Sequence, residues 1–107
     1  MKTKDTLLER LPPHSLEVER GVLGCLLLDP ANAMPVAQGK LRHGALAFYH
    51  LPHQTIYSHM VAEFEVLQTV DLITFQQRLK NAGVLEEVGG LAYLSELSGA
   101  RSEERRV

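Results

Sequence analysis

Apolar side chains recur at helical steps along most of this chain, and nowhere do they sustain an alternation of period two. That pattern predicts an all-α fold, a compact bundle of about five to six short helices with no sheet. The first stripe is Leu16, Val22, Leu23, Leu26 and Leu27, broad enough to bury one face of a helix. Ser15 stands before it as an N-cap, and Glu17 and Glu19 place negative charge in the first turn, where the helix dipole favours it. Gly24 interrupts the stripe at a propensity cost of up to ~1 kcal/mol, which predicts close approach of a neighbouring helix backbone. Asp29-Pro30 ends the helix. A second is predicted from near Asn32, so that Pro35 falls in its first turn, to Gly39. From Lys40 to Pro52 no period persists, and the segment reads as a loop with Phe48 and Tyr49 as its buried anchors.

The clearest helix follows. Ile56, Met60, Phe64 and Leu67 recur at steps of four, four and three, with Tyr57 and Val61 beside them. Asp71 then caps a helix whose inner face is Leu72, Phe75 and Leu79, closed by Gly83 in the left-handed conformation. A single turn over Leu85 to Val88 leads to Gly89-Gly90, read as a tight helix-to-helix turn, and the last helix carries Leu91, Leu94 and Leu97. Residues 1–13 read as a flexible N-terminal arm, since Pro12-Pro13 ends any helix before it. Residues 14–100 form the helical domain, and 101–107 are a charged tail expected to fray. Leu7, Leu8 and Leu11 make the arm a candidate partner surface, because apolar residues on an otherwise charged segment gain by docking.

Composition narrows the classes. A chain of 107 residues is one domain, and 45% hydrophobic content argues against disorder. The formal net charge of -2 lacks the basic surplus with which a domain grips phosphates. Cys25 is the only cysteine, so no intramolecular disulfide forms and a reducing compartment is expected. The first ten residues are charged, with no apolar signal core. Val22 to Leu28, the longest apolar stretch, falls far short of the ~20 residues a membrane span needs. A cytoplasmic protein is the expectation.

Candidate chemistry is sparse. Gly39 and Gly44 have the gap of a phosphate-binding loop, but Ala45-Leu46 stands where lysine and a hydroxyl are required. His43, His50, His53 and His59 invite a zinc site, yet His59 lies on another helical face from His50 and His53, and Cys25 sits in a helix read as buried. His53 is instead expected to bond a neighbouring backbone carbonyl. Ser58, His53 and Asp71 have the letters of a hydrolase triad without a nucleophile elbow. Glu86-Glu87 reads as a solvated turn. No catalytic residue, cofactor or metal is therefore expected. The residues singled out are structural: Ser15, Gly24, Phe48, His53, Asp71, Gly83, Gly89 and Gly90. An alternative reading is a small DNA-binding head contacting phosphates through Lys40, Arg42 and His43.

Four segments share one dialect. They are Leu11-Pro-Pro-His-Ser15, followed by a Glu-rich turn and Val22-Leu-Gly24; Phe48-Tyr49 with His53 and Ile56; Val70-Asp-Leu-Ile-Thr74; and Leu85-Glu-Glu-Val-Gly-Gly-Leu-Ala-Tyr-Leu94. In this order they resemble the N-terminal domain of bacterial replicative DNA helicases of the DnaB type, from about Leu11 to Leu97. Gly21 departs from the family's usual Ala, 39–47 is irregular, and no Gly precedes Val70. The resemblance implies a collar domain that holds partners rather than a motor. Those partners are the C-terminal domain of primase, a helicase loader, and other helicase subunits in a hexamer, with no strong nucleic-acid binding and no membrane contact. The parent protein is implied to be an ATP-dependent, DNA-unwinding enzyme of DNA replication. The helical hairpin and RecA-like ATPase that follow in the family have no counterpart in this sequence. The chain is accordingly expected to be a fragment, or a stand-alone or truncated relative, and no enzyme by itself.

Overall fold

The computed structural model describes residues 15–106, with side chains described as far as Gly99. The expected arm over residues 1–13, with its three leucines, lies outside them. Among the described residues there are five α-helices, one 3-10 turn and no strand. The helices are α1 (Leu16–Leu28), α2 (Pro30–Lys40), α3 (Leu51–Leu67), α4 (Leu72–Asn81) and α5 (Gly90–Arg106), with the 3-10 turn over Gly44–Ala47 between α2 and α3. α1 packs most extensively along α5, and α3 supports α1, the 3-10 turn and α4.

Local chemistry sets the boundaries. The Ser15 hydroxyl accepts from the Val18 N–H at 3.3 Å and opens α1. Asp29 serves two helices at once. Its N–H closes α1 on the Cys25 carbonyl, while its own carbonyl receives the Ala33 N–H, the first bond of α2. Its carboxylate is held by the Asn32 amide. Pro30 then occupies the first helical position, where a missing N–H costs nothing. The second helix thus starts before Asn32 and runs past Gly39, and Pro35 lies in its second turn rather than its first. There it removes one backbone bond. Burial of Met34, fully inaccessible beside it, supports the helix from the core side.

The segment expected to be an irregular loop holds the 3-10 turn, opened by Gly44 at φ +61°. Phe48 follows in extended backbone and is buried. Tyr49 is 60% exposed, so only one of the two expected anchors is in the core. Successive side chains in extended backbone point to opposite sides, and Phe48 takes the inner one. α3 begins at Leu51, inside the predicted loop, and turns His53, Ile56, Tyr57, Met60 and Glu63 inward. Its last residue, Leu67, is exposed, as are Leu16 at the start of α1 and, marginally, Leu91 at the start of α5. Each stands at a helix end, where the packed interface has run out.

Gln68 ends α3 in the left-handed region, φ 63°, the only non-glycine there among the described residues. Asp71 caps α4, its carboxylate accepting from the Thr74 N–H and hydroxyl. α4 buries Phe75 and Leu79, with Leu72 only partly covered. It ends in a Schellman arrangement: the Gly83 N–H bonds the Lys80 carbonyl and the Val84 N–H bonds that of Leu79, with Gly83 at φ +77°. Two turns over 84–89 bury Val88 and deliver Gly89 and Gly90, both at positive φ, into α5. Leu94 and Leu97 complete the core. α5 continues through 101–106, the charge run expected to fray; Arg and Glu there are good helix formers.

Candidate functional site

Beneath the surface, a chain of polar groups joins α1, α3 and α5. Glu19 falls on the buried face of α1 with Leu23 and Leu26, a carboxylate where the helical spacing calls for an apolar residue. It reaches the start of α3, whose cap position, His50, offers no side-chain bond of its own. Glu19 Oε2 accepts the Tyr49 N–H at 2.6 Å, and Oε1 accepts the His50 N–H at 3.3 Å. An anion at a helix N-terminus also meets the positive end of the dipole. Oε1 is 2.7 Å from Nδ1 of His53, which is fully buried, and His53 Nε2 is 2.6 Å from the Tyr93 hydroxyl of α5.

Protonation in this chain is self-consistent. Burial pushes the Glu19 pKa up, but the hydrogen bonds from His53 and the two amides outweigh it and hold the carboxyl below its ordinary value. Burial pushes the His53 imidazole below its ordinary value, against the opposing pull of Glu19. Burial raises the Tyr93 phenol. An ionised Glu19 therefore accepts Nδ1–H from a neutral ring, and Nε2 accepts the phenolic hydrogen. The Glu19–His53 contact is a charge-assisted hydrogen bond, not an ion pair. The Tyr93 ring stacks at 11° on that of His53, and the Arg20 guanidinium lies 5.6 Å above its centroid while pairing with Glu96 at 3.1 Å.

His53 thus bonds a carboxylate and a phenol, not the backbone carbonyl expected of it. A buried acid from α1 and a tyrosine from α5 offer partners on either side of the ring, and charged or buried partners satisfy it better. With both ring nitrogens engaged, His53 has no lone pair for a metal, although the His50 ring lies only 4.6 Å away. No set of three or more His, Cys, Asp or Glu residues among those described is grouped to hold a metal ion. Ser58 is exposed, one turn beyond His53 and outside this chain of bonds.

A second buried acid lies between α3 and α4. Glu63 Oε1 is 3.6 Å from Arg78 Nη1, and Oε2 has no partner. Arg78 Nε donates to His59 Nδ1 at 3.3 Å, and burial followed by the Arg78 charge lowers the His59 pKa, which keeps that ring an acceptor. The sequence marks Glu19 only as first-turn charge and does not mark Glu63. The signal was available: both occupy apolar positions of a helical stripe.

At the surface, an open groove of about 600 Å³ runs between α1 and α2, walled by Val22, Cys25, Leu28, Ala33, Val36 and Leu41. Val66, Leu67 and Ile73 stand exposed around the α3–α4 corner. Lys40, the last residue of α2, and Arg42 and His43 just beyond it are exposed. No helix among the described residues is long and apolar enough to cross a membrane. The geometry therefore offers apolar docking faces on a frame fixed by internal hydrogen bonds, among which Glu19, His53 and Tyr93 bond one another.

Comparison with known proteins agrees with the fold. The family model for the DnaB-like helicase N terminal domain matches residues 11–106. The chain is similar to the replicative DNA helicase DnaB of Geobacillus stearothermophilus, 40% identical over 92 residues, which are 86% of this chain and 20% of that protein. It is similar to the replicative DNA helicase DnaC of Bacillus subtilis (strain 168), 38% identical over 96 residues, 90% of this chain and 20% of the relative. The chain spans about a fifth of the length of these curated relatives. Among solved structures, the N-terminal domain of DnaB helicase from Mycobacterium tuberculosis superposes with a TM-score of 0.73 at 32% identity, covering 82% of this chain and 62% of that one.

Proposed function

Since the chain belongs to the DnaB-like helicase N-terminal domain family, we propose that it is the protein-interaction and assembly domain of a replicative DNA helicase. It docks the C-terminal domain of primase and a helicase loader, and it contributes to the collar of the hexamer. The ATP-driven unwinding belongs to the parent protein, in the cytoplasm, during DNA replication. The match over residues 11–106 carries this reading. Exposed apolar side chains such as Val66 and Ile73 support it, since docking faces of this kind bury apolar anchors within a polar rim.

Titration of a fluorescently labelled primase C-terminal domain with this chain tests the reading. A saturable one-to-one complex with modest salt dependence is expected, and the absence of any complex overturns it. Binding of single-stranded or duplex DNA of scrambled sequence is the second arm. Affinity there that falls steeply with salt and is lost together in Lys40→Ala and Arg42→Ala would replace the reading with a DNA-binding head.

A further inference from the structure

The groove between α1 and α2 carries a pattern that is complementary to itself. On the α2 side its lining runs Asp29, Ala33, Val36 and Lys40, with Asn32 and Ala37 beside them. The first four follow at steps of four, three and four, which places them on one stripe of the helix. An acid stands at the start of the stripe, a base at its end, and apolar residues lie between. Val36 is 56% exposed, and Leu28 across the groove is 43% exposed. We propose that this stripe is a self-docking surface, on which a second copy of the chain packs its own α2 antiparallel about a two-fold axis.

Charge and spacing favour this occupant. A two-fold that sets Asp29 against Lys40 of the second copy also sets Ala33 against its Val36, because the stripe is symmetric in spacing about its centre. Each larger side chain then meets a smaller one, as a self-complementary contact requires. Both end pairs join opposite charges, and the antiparallel helices oppose their dipoles. A parallel arrangement would bring like charges together at both ends. Asp29 and Lys40 are exposed, so their pairing selects the partner and its direction more than it adds strength. α2 has 11 residues, a length of about 16 Å. The contact therefore stays at or below the low end of the roughly 1,200–2,000 Å² of specific interfaces. Separate chains pair weakly, with a dissociation constant on the order of 100 μM. The proposal deepens the assembly role given above and rests on it for its place in the parent, where heads joined in one ring meet at millimolar effective concentration.

Sedimentation equilibrium of this chain alone, from about 10 μM to about 1 mM in low salt, tests the proposal. Dimer should accumulate towards the upper end. Asp29→Lys and Lys40→Glu each set like charges together at both ends, and each should weaken pairing by about tenfold or more. An equimolar mixture of the two variants should restore it, since both ends then join opposite charges again. The Asp29 side chain makes no cap bond to α2, and unchanged circular dichroism checks that each variant keeps the fold. Val36→Lys, in the middle of the stripe, should abolish the dimer without touching either end. A parent chain that is monomeric throughout overturns the proposal. So does a mixture no more associated than the single variants, or a Val36→Lys chain that dimerises like the parent. No primase is present, so a failure here is distinct from a failure of the docking reading, which its own titration decides.

Discussion

The Tyr93 hydroxyl donates to His53 Nε2 at 2.6 Å, and the two rings lie nearly parallel, 11° apart. The residues are 40 positions apart in sequence, on α5 and α3. This bond satisfies a ring nitrogen of a fully buried side chain. Tyr93→Phe keeps the stack and removes the donor. The cost is that of a buried unsatisfied acceptor, about 1–3 kcal/mol, read from urea unfolding. A loss below ~0.5 kcal/mol would show that the bond is dispensable.

Acid should destabilise the domain in two stages. The pKa of His53 is lowered by burial, against Glu19, and that of His59 by burial and then Arg78. The unfolded chain therefore binds these protons more readily, so stability rises with pH through the window. It is full above about 6.5 and is lost as pH falls from there towards the folded values. Glu19 is lowered by its hydrogen bonds despite burial, and adds a second loss below about 4.5. Tyr57 and Tyr93 are raised by burial, so their contribution holds below about 10 and is lost above it. A thermal midpoint flat between pH 7 and 9 and falling steadily from 6.5 to 4 is expected; a rise on acidification would contradict the neutral-ring assignment.

The two adjacent glycines should differ. Gly89 has φ +112°, and a Cβ there would sit 2.6 Å from Tyr93 Cβ, at the root of a side chain held by His53. Gly90 has φ +73° and nothing within 4 Å. Gly90→Ala carries only left-handed strain, about 1–2 kcal/mol. Gly89→Ala should cost more, because the new Cβ must also displace Tyr93. Equal losses in the two variants would mean that Tyr93 yields without penalty.

Gln68 closes α3 in a conformation that favours glycine. Its side-chain amide also donates to the Phe64 carbonyl at 3.3 Å, but on an exposed site. Gln68→Gly removes the strain and should stabilise the domain by up to ~1 kcal/mol. A higher urea midpoint with unchanged slope is the check; a lower midpoint would show that the amide bond outweighs the strain.

What was legible in the sequence was local. Ser15 and Asp71 announce their caps because each bonds an amide three residues on. Gly83 announces a left-handed end because the lack of a Cβ is itself the signal. The fold class followed from apolar periods that tertiary contacts left intact at Leu23, Ile56, Met60, Phe75 and Leu79. Pro30 was misread because one residue, Asp29, ends a helix and begins the next. Glu19 looked like first-turn charge because its partners lie 30 to 34 residues away. His53 was recognised as structural, but its real partners were invisible: nothing near it in the chain distinguishes a carbonyl from a carboxylate and a phenol across the bundle.

Glu19, His53 and Tyr93 also set an order of events. Their bonds close loops of about 30 to 40 residues, so they form only after α1, α3 and α5 have been gathered by apolar contact. A bond absent from the transition state leaves the folding rate nearly unchanged when it is removed and speeds unfolding instead. The buried polar chain therefore acts as a latch on an assembled bundle rather than as its organiser. In a chevron experiment, Tyr93→Phe should steepen nothing and shift only the unfolding limb, so the lifetime of the folded head, more than its ease of forming, is what this hydrogen bond governs.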